Sequence, residues 1–443
     1  MSNIYPIVTI GEVCSVGDGA HSKVKRQIAG IKYLTSKNIG FGHLKLDKFD
    51  YISLKDYEHL FSTNSRVVRR PCPGDVLIGI IGTFGNAYRY KSSDKFGVSS
   101  SIAILRPNQS ILEPDFLYYV VTSNFFKVAH KAYKSGSVQA YTNIPTIKCL
   151  PIPLPPLPEQ KAIASILSSL DDKIELNQQM NQTLEAIARA IFKSWFVDFD
   201  PVRAKMAGNQ PVGMDAATAN LFPDSFEESA LGLIPRGWTV KSADNICNVA
   251  IGKTPPRKES YWFSTNDNNI RWVSIRDMGE NGLFISDTKE YLVPEAIERF
   301  NIKVIPDNTV LFSFKLTIGR VVITDGEMTT NEAIAHFNIK NQEQVSSEYL
   351  YSYLKNFDYN QLGNTSSIAQ AVNSKIIKTM PILIPDSDLI NHFTKQVNSI
   401  FIKIKTNQRE SRTLANIRDT LLPKLMSGEI RVKEAETIIK EVN

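Results

Sequence analysis

Apolar residues recur at alternating steps of four and three along residues 158–196. Ile163, Leu167, Leu170, Ile174, Asn177, Asn181, Leu184, Ala188, Ile191 and Trp195 fall on one seam. This heptad spacing, broken only by two asparagines, predicts a single long helix with a narrow apolar stripe. Pro158 lies in the first turn, where a helix tolerates proline, and Glu159 suits the positive end of the helix dipole. At about 1.5 Å per residue such a helix is roughly 57 Å long, more than a compact domain needs. The same pattern returns 230 positions later, at Phe393, Val397, Ile400, Ile404, Asn407, Ser411, Leu414, Arg418, Leu421 and Leu425. Asn177 is answered by Asn407. The expectation is two long helices packed along their seams, with a polar pair near the middle fixing register. The alternative is two ordinary amphipathic helices in separate cores.

The repeat extends beyond the helices. IKYLTSKNIGFGHL (31–44) reads against IRWVSIRDMGENGL (270–283), and PGDVLIGIIGTFGNA (73–87) against PDNTVLFSFKLTIGRV (306–321). SIAIL (101–105), FLYYVV (116–121) and IKCLPIPLP (147–155) find partners in AIAHF, YLYSYL and IKTMPILIP. The offset slides from 239 to 230, as loop-length changes produce. A unit of about 200 residues is too long for a solenoid, so the chain reads as a duplicated two-part module. Short β-rich runs at 75–81 and 309–314 are bounded by Gly, Pro and Asn, and helices are expected at 114–128 and 347–356. The fold class is α+β, a mixed α/β arrangement of two similar globular domains, each followed by a long helix. The expected boundaries are 1–155 for the first domain, 156–200 for the first long helix and 201–234 for a linker. The second domain takes 235–385, the second long helix 386–430, and a charged tail 431–443.

Hydrophobic content of 42% and charged content of 22% fit a soluble globular protein. The start shows no basic region followed by an apolar run, and no apolar stretch approaches the roughly 18 residues of a spanning helix. A cytoplasmic protein without a membrane role is expected. Cys14, Cys72, Cys149 and Cys247 are far apart and make no CxxC, so free thiols are expected and a zinc site is not. Cys14 and Cys247 occupy matching places and read as small core residues.

The net charge of +6 is unevenly spread. Residues 1–155 carry 19 basic and 10 acidic side chains, whereas residues 235–385 balance at 16 of each. A domain at +9 favours a polyanion such as DNA, although moderately basic domains are common and the neutral second domain weakens the signal.

Catalytic patterns are scarce. GIIGTFG (79–85) lacks GxGxxG spacing and reads as a turn that needs glycine, and no GxxxxGK[ST] occurs. An S-adenosylmethionine glycine motif, an NPPY-like tetrapeptide and a GxSxG setting are also missing. What remains is two matched pairs of polar loops. GDGAHSKVKR (17–26) matches GKTPPRKESYW (252–262), and KSGSVQAYTN (134–143) matches GNTSSIAQAVN (363–373). Their cations and hydroxyls suit phosphates, and their amides suit adenine edges. Candidate DNA contacts in the first half are Lys23, Lys25, Arg26, Ser36, Lys37, Asn86, Ser137, Gln139 and Asn143. In the second they are Lys253, Thr254, Arg257, Lys258, Arg276, Arg320, Ser367, Gln370 and Asn373. Solvated surface turns are the alternative for any one of them. The aromatic end of the first helix, Trp195, Phe196 and Phe199, reads either as a partner-docking surface or as packing onto the second helix.

LPIPLPPLPEQKAIASILSSLDDKIELNQQMNQTLEAIARAIFKSWFVDFDPV (150–202) resembles the central conserved region of the specificity subunit of type I restriction–modification systems. LIPRGW (233–238), GKTPPRKESYW and TLLPKLMSGEIRV (420–432) resemble the start of that family's second target recognition domain, an early loop of it and the distal conserved region. LPPLPEQ degenerates to LIPDSDL in the second copy. The resemblance covers nearly the whole chain. It implies that each globular domain recognises one half of a split double-stranded DNA sequence, and that the two helices pack as an antiparallel coiled coil. It also implies a subunit without catalysis that positions two methyltransferase subunits and, in the full complex, two ATP-driven restriction subunits. S-adenosylmethionine, ATP and Mg would then belong to those partners, with no cofactor held by this chain. A DNA methyltransferase or nuclease with divergent motifs, or a coiled-coil adaptor without DNA affinity, are the competing readings.

Overall fold

The computed structural model describes residues 4–22, 24–62, 67–82, 84–134, 142–359 and 373–442. It divides into two compact units, one of residues 1–175 and 411–443, the other of residues 176–410. The long helices span Leu157–Phe196 and Ser387–Ser427, so each gives one stretch to each unit.

In the first unit a four-stranded antiparallel sheet runs in the order Cys14–Asp18, Ile102–Pro107, Val76–Gly79, Ala87–Arg89. A three-stranded sheet places Ile31–Leu34 between Asp50–Ile52 and Phe96–Val98. The second unit repeats the first order as Cys247–Ile251, Ile334–Ile339, Val310–Ser313, Val321–Thr324, and adds Phe284–Ile285 as a parallel edge. The duplication seen in the sequence is thus a duplication of strand order. Both opening strands begin with a buried cysteine, and burial pushes the thiols of Cys14 and Cys247 up to about 12; these are inert core residues.

Both units keep a glycine where the first strand ends. A Cβ on Gly19 would sit 2.0 Å from the Val98 carbonyl oxygen, and one on Gly252 would sit 2.1 Å from that of Thr330. Only glycine permits this approach. It lets the next backbone amide, of Ala20 or Lys253, donate to that same carbonyl oxygen.

None of the twenty seam positions on the long helices is exposed. In the first unit Ile163, Leu167, Leu421 and Leu425 share one core, and the Arg418 guanidinium donates to Asp171 at 2.6 Å. In the second, Phe192 and Phe196 pack edge-on against Phe393. Asn407 Nδ2 donates to Asn181 Oδ1 at 2.9 Å, while Asn177 Nδ2 donates to Glu410 Oε2 at 2.8 Å. The polar pair is therefore Asn181 with Asn407, not Asn177 with Asn407. The partner number falls as the residue number rises, so positions that repeat in phase do not face each other.

Gln160 of the PEQ motif is fully buried at the helix start. Its amide accepts from the Glu113 amide and donates to the Ile111 and Pro155 carbonyls at 2.7–2.9 Å. Glu159 accepts from Tyr5 and Arg431. The stretch 201–234, expected as a linker, is folded: it holds the helices Asp200–Met206 and Ala216–Asn220 and a hairpin, and it buries Val202, Phe222 and Ile234. Its apolar residues had been hidden among small and acidic ones.

The second long helix is tied to the second unit's sheet by charge. Asp325, almost fully buried, accepts from Arg409 at 2.6 Å and pairs with Lys405 at 3.0 Å. Burial alone would raise the Asp325 carboxyl, but the hydrogen bonds from Arg409 and Lys405 outweigh it and hold it at about 2. The folded value lies below the ordinary one, so the stabilisation is complete above about pH 4 and is lost as pH falls towards 2. Asp325→Asn is expected to lower unfolding stability by about 1–3 kcal/mol at neutral pH. Thermal unfolding of both proteins against pH checks this: the gap between them should close from pH 4 to pH 2.

Candidate nucleic-acid interface

In the first unit Lys25, Arg26, Ser36 and Lys37 flank the strand Ile31–Leu34 of the three-stranded sheet. Ser36 and Lys37 lie on a single 3₁₀ turn, Ser36–Asn38. The turn is held by Asn38, which sequence reading missed. Its buried amide accepts from the Thr35 amide and donates to the Lys45 and Lys48 carbonyls. Lys37 and Lys25 are exposed and make no ion pair among the described residues. Arg26 faces Asp50 at 3.0 Å. Asn86 donates to the Ile39 carbonyl at 3.3 Å, tying two loops together. Lys23, Ser137 and Gln139 lie outside the described residues.

In the second unit the loop 252–262 is anchored along its length. Lys253 donates to the Phe300 and Asn301 carbonyls at 3.1 and 3.0 Å, and Thr254 donates to Glu332. Arg257 makes a two-pronged pair with Glu290 at 2.7 and 3.0 Å. Its guanidinium also lies 4.2 Å from the Phe263 ring centre and 4.5 Å from that of Trp272. A phosphate would have to compete with a bidentate carboxylate for this group, so Arg257 shapes the loop. Lys258 is exposed without an ion pair among the described residues, and Tyr261, three residues on, is 63% exposed. Arg276 pairs with Glu280, and Arg320 donates to the Ile275 carbonyl at 2.5 Å. Ser367 and Gln370 lie outside the described residues.

Asn143 and Asn373 occupy matching places, and both are helix caps. The Asn143 side chain accepts from the Thr146 amide, and that of Asn373 from the amides of Lys375 and Ile376. Each thereby satisfies amides that the first helical turn leaves without partners. The signal was present in the sequence: asparagine directly before a short apolar helix, with Pro145 in the first turn of one.

Trp195 and Phe196 require a correction. Both are buried in the second unit, where Phe196 contacts Trp238, Tyr349 and Phe393, and Trp195 contacts Phe222 and Phe393. Phe199 is half-buried at φ 56 and meets Phe226 and Trp238 edge-on. Trp195 and Phe196 are too apolar for solvent because they belong to the core of the second unit.

A family model described as the type I restriction modification DNA specificity domain matches residues 2–186 and again 235–412. The type I restriction enzyme HindI specificity subunit of Haemophilus influenzae is 30% identical over 440 residues, covering 88% of this chain and 94% of that protein. The MjaIX specificity subunit of Methanocaldococcus jannaschii is 28% identical, covering 98% and 94%. The solved S subunit of a type I restriction–modification system from M. genitalium shares the fold, with a TM-score of 0.53 at 15% identity over 96% of each chain.

Phe196→Ala is expected to destabilise the second unit by about 3–5 kcal/mol, as for a truncated core aromatic. Urea unfolding followed by aromatic fluorescence checks it. A change within about 0.5 kcal/mol would instead mark the ring as surface.

Proposed function

This chain belongs to the type I restriction modification DNA specificity family, and on that premise we propose that each unit reads one half of a bipartite target while the long helices set the gap. It is a DNA sequence-recognition subunit, the component of a type I system that carries specificity rather than catalysis. One observation carries the bipartite reading. The family model matches twice, once in each half of the chain, and the two halves share a strand order. Two readers on one chain are suited to two short words.

The pairing of the long helices as an antiparallel coiled coil is supported by the contacts of Asn181 with Asn407 and Asn177 with Glu410 in the second unit, and of Asp171 with Arg418 in the first. A rod of fixed length between two readers would leave a fixed number of base pairs unread. The chain would also dock two methyltransferase subunits and, in the full complex, two restriction subunits, in the cytoplasm. S-adenosylmethionine, ATP and Mg would act on those partners. The family's arrangement and the relatives' names as specificity subunits support this. With Trp195 and Phe196 in the core, the docking surface must lie elsewhere.

Co-expression with a candidate methyltransferase subunit, followed by mapping of methylated adenines in host DNA, tests the reading. A split motif with a constant gap is expected; methylation at one uninterrupted word would refute it. Deleting one heptad from both helices should shorten the gap while leaving both words unchanged. An unchanged gap would show that the helices are not the ruler.

A further inference from the structure

The antiparallel hairpin of Val310–Ser313 and Val321–Thr324 ends in a tip of unusual construction. The Thr317 amide donates to the Lys315 carbonyl at 2.7 Å, closing a three-residue turn around Leu316 at φ 60. Such a turn is rare and strained, and a leucine in the left-handed region sets its Cβ against the backbone. The Leu316 side chain is also 86% exposed. Backbone and solvent both disfavour leucine here, and glycine would relieve both. In the sequence alignment of the two halves the first carries Gly82 at this place, at φ 88 with open space where a Cβ would stand.

The tip is built to hold this shape. Ser313 Oγ donates to the Thr317 carbonyl at 2.6 Å and accepts from the Arg320 amide at 3.0 Å, and the Gly319 amide donates to the Ser313 carbonyl. Gly319 lies at φ 92 under the Tyr359 ring, which stacks on Phe312. Phe314, next to the exposed residues, is buried. An apolar side chain is therefore projected from a rigid support, with the exposed Lys315 beside it. Strain held in place by its surroundings is characteristic of sites that meet a ligand.

We propose that Leu316 is a base-contacting, specificity-determining residue of the second unit, packing its isobutyl group on the apolar surface of a base pair while Lys315 meets the adjacent phosphate. The inference rests on the reading of this unit as the reader of one half-word. DNA offers such a side chain two apolar surfaces: the thymine methyl in the major groove, or the face of a base at an opened step. A hairpin tip is narrow enough to enter a groove, and the lysine gives it a positional contact that carries no sequence information.

The test uses the full chain co-expressed with its methyltransferase partner, as wild type and as Leu316→Gly, with methylated adenines mapped across host DNA. Leu316→Gly removes the strain, so the variant should unfold at the same temperature as wild type or higher. The expected result is a loss of discrimination on the order of tenfold at one base pair of one half-word, with the other half-word and the gap unchanged. On short duplexes, uracil in place of thymine at that position should reproduce the loss if the methyl is the contact. A rise in 2-aminopurine fluorescence on binding, absent with Leu316→Gly, would identify an opened step instead. If wild type yields a split motif and both Leu316→Gly and Leu316→Asp keep it with unchanged discrimination, the inference is overturned while the bipartite reading stands. If wild type yields no split motif, both fall.

Discussion

Two asparagine side chains buried between apolar neighbours decide how the long helices meet in the second unit. A buried amide without a partner is costly, by about 1–3 kcal/mol for each unsatisfied group. Asn181 and Asn407 reduce that penalty by sharing one hydrogen bond, from Asn407 Nδ2 to Asn181 Oδ1, and Asn177 does so by donating to Glu410. A slip of one heptad would set Asn181 against Ile400 or Leu414, leaving its amide stranded. Leucine at these positions would bind more tightly in any register; asparagine binds well in one. A spacer meant to fix a distance needs a single register more than it needs stability.

The same constraint explains what could be read from the chain alone. Seam periodicity is a local property, so the helices emerge from the sequence almost to the residue. The repeat shows that the two halves carry matching elements, because each half is a check on the other, but the order of the strands rests on pairings between distant segments and comes only from the structure. The partner of a polar side chain is a different matter. Nothing near Arg257 announces Glu290, which lies 33 residues away, and nothing near Lys253 announces the carbonyls of Phe300 and Asn301. The loop motifs therefore gave no sign of which cations in the second unit are already engaged within the chain. Leu316 was invisible for the converse reason. Its residue type is ordinary, and only its backbone angle and exposure set it apart.

Charge in the two units is deployed differently as a result. In the second, the described cations of the loop 252–262 are largely spent on shaping it, with Lys258 the exception. In the first, 19 basic groups face 10 acidic ones through residue 155, an excess of nine positive charges over that stretch. A non-specific, salt-sensitive attraction to the DNA backbone would then come mainly from the first unit. The second would rely more on shape and on contacts at its loop tips.

Duplication has preserved scaffold and released everything else. Gly19 and Gly252 were kept because a carbonyl oxygen occupies the space a Cβ would need. Cys14 and Cys247 were kept as small buried residues, and Asn143 and Asn373 as caps. Gln160 was not kept. In the first unit its amide meets three backbone groups at the start of the long helix, whereas the corresponding Ile390 is buried among apolar residues. A polar solution and an apolar one thus stand at the same helix start in the two units. Where the requirement is a volume or an amide, the two halves agree or substitute freely. Where the position is exposed, as at Gly82 and Leu316, they diverge, and on the proposed reading such divergence would let two copies of one fold read two different words.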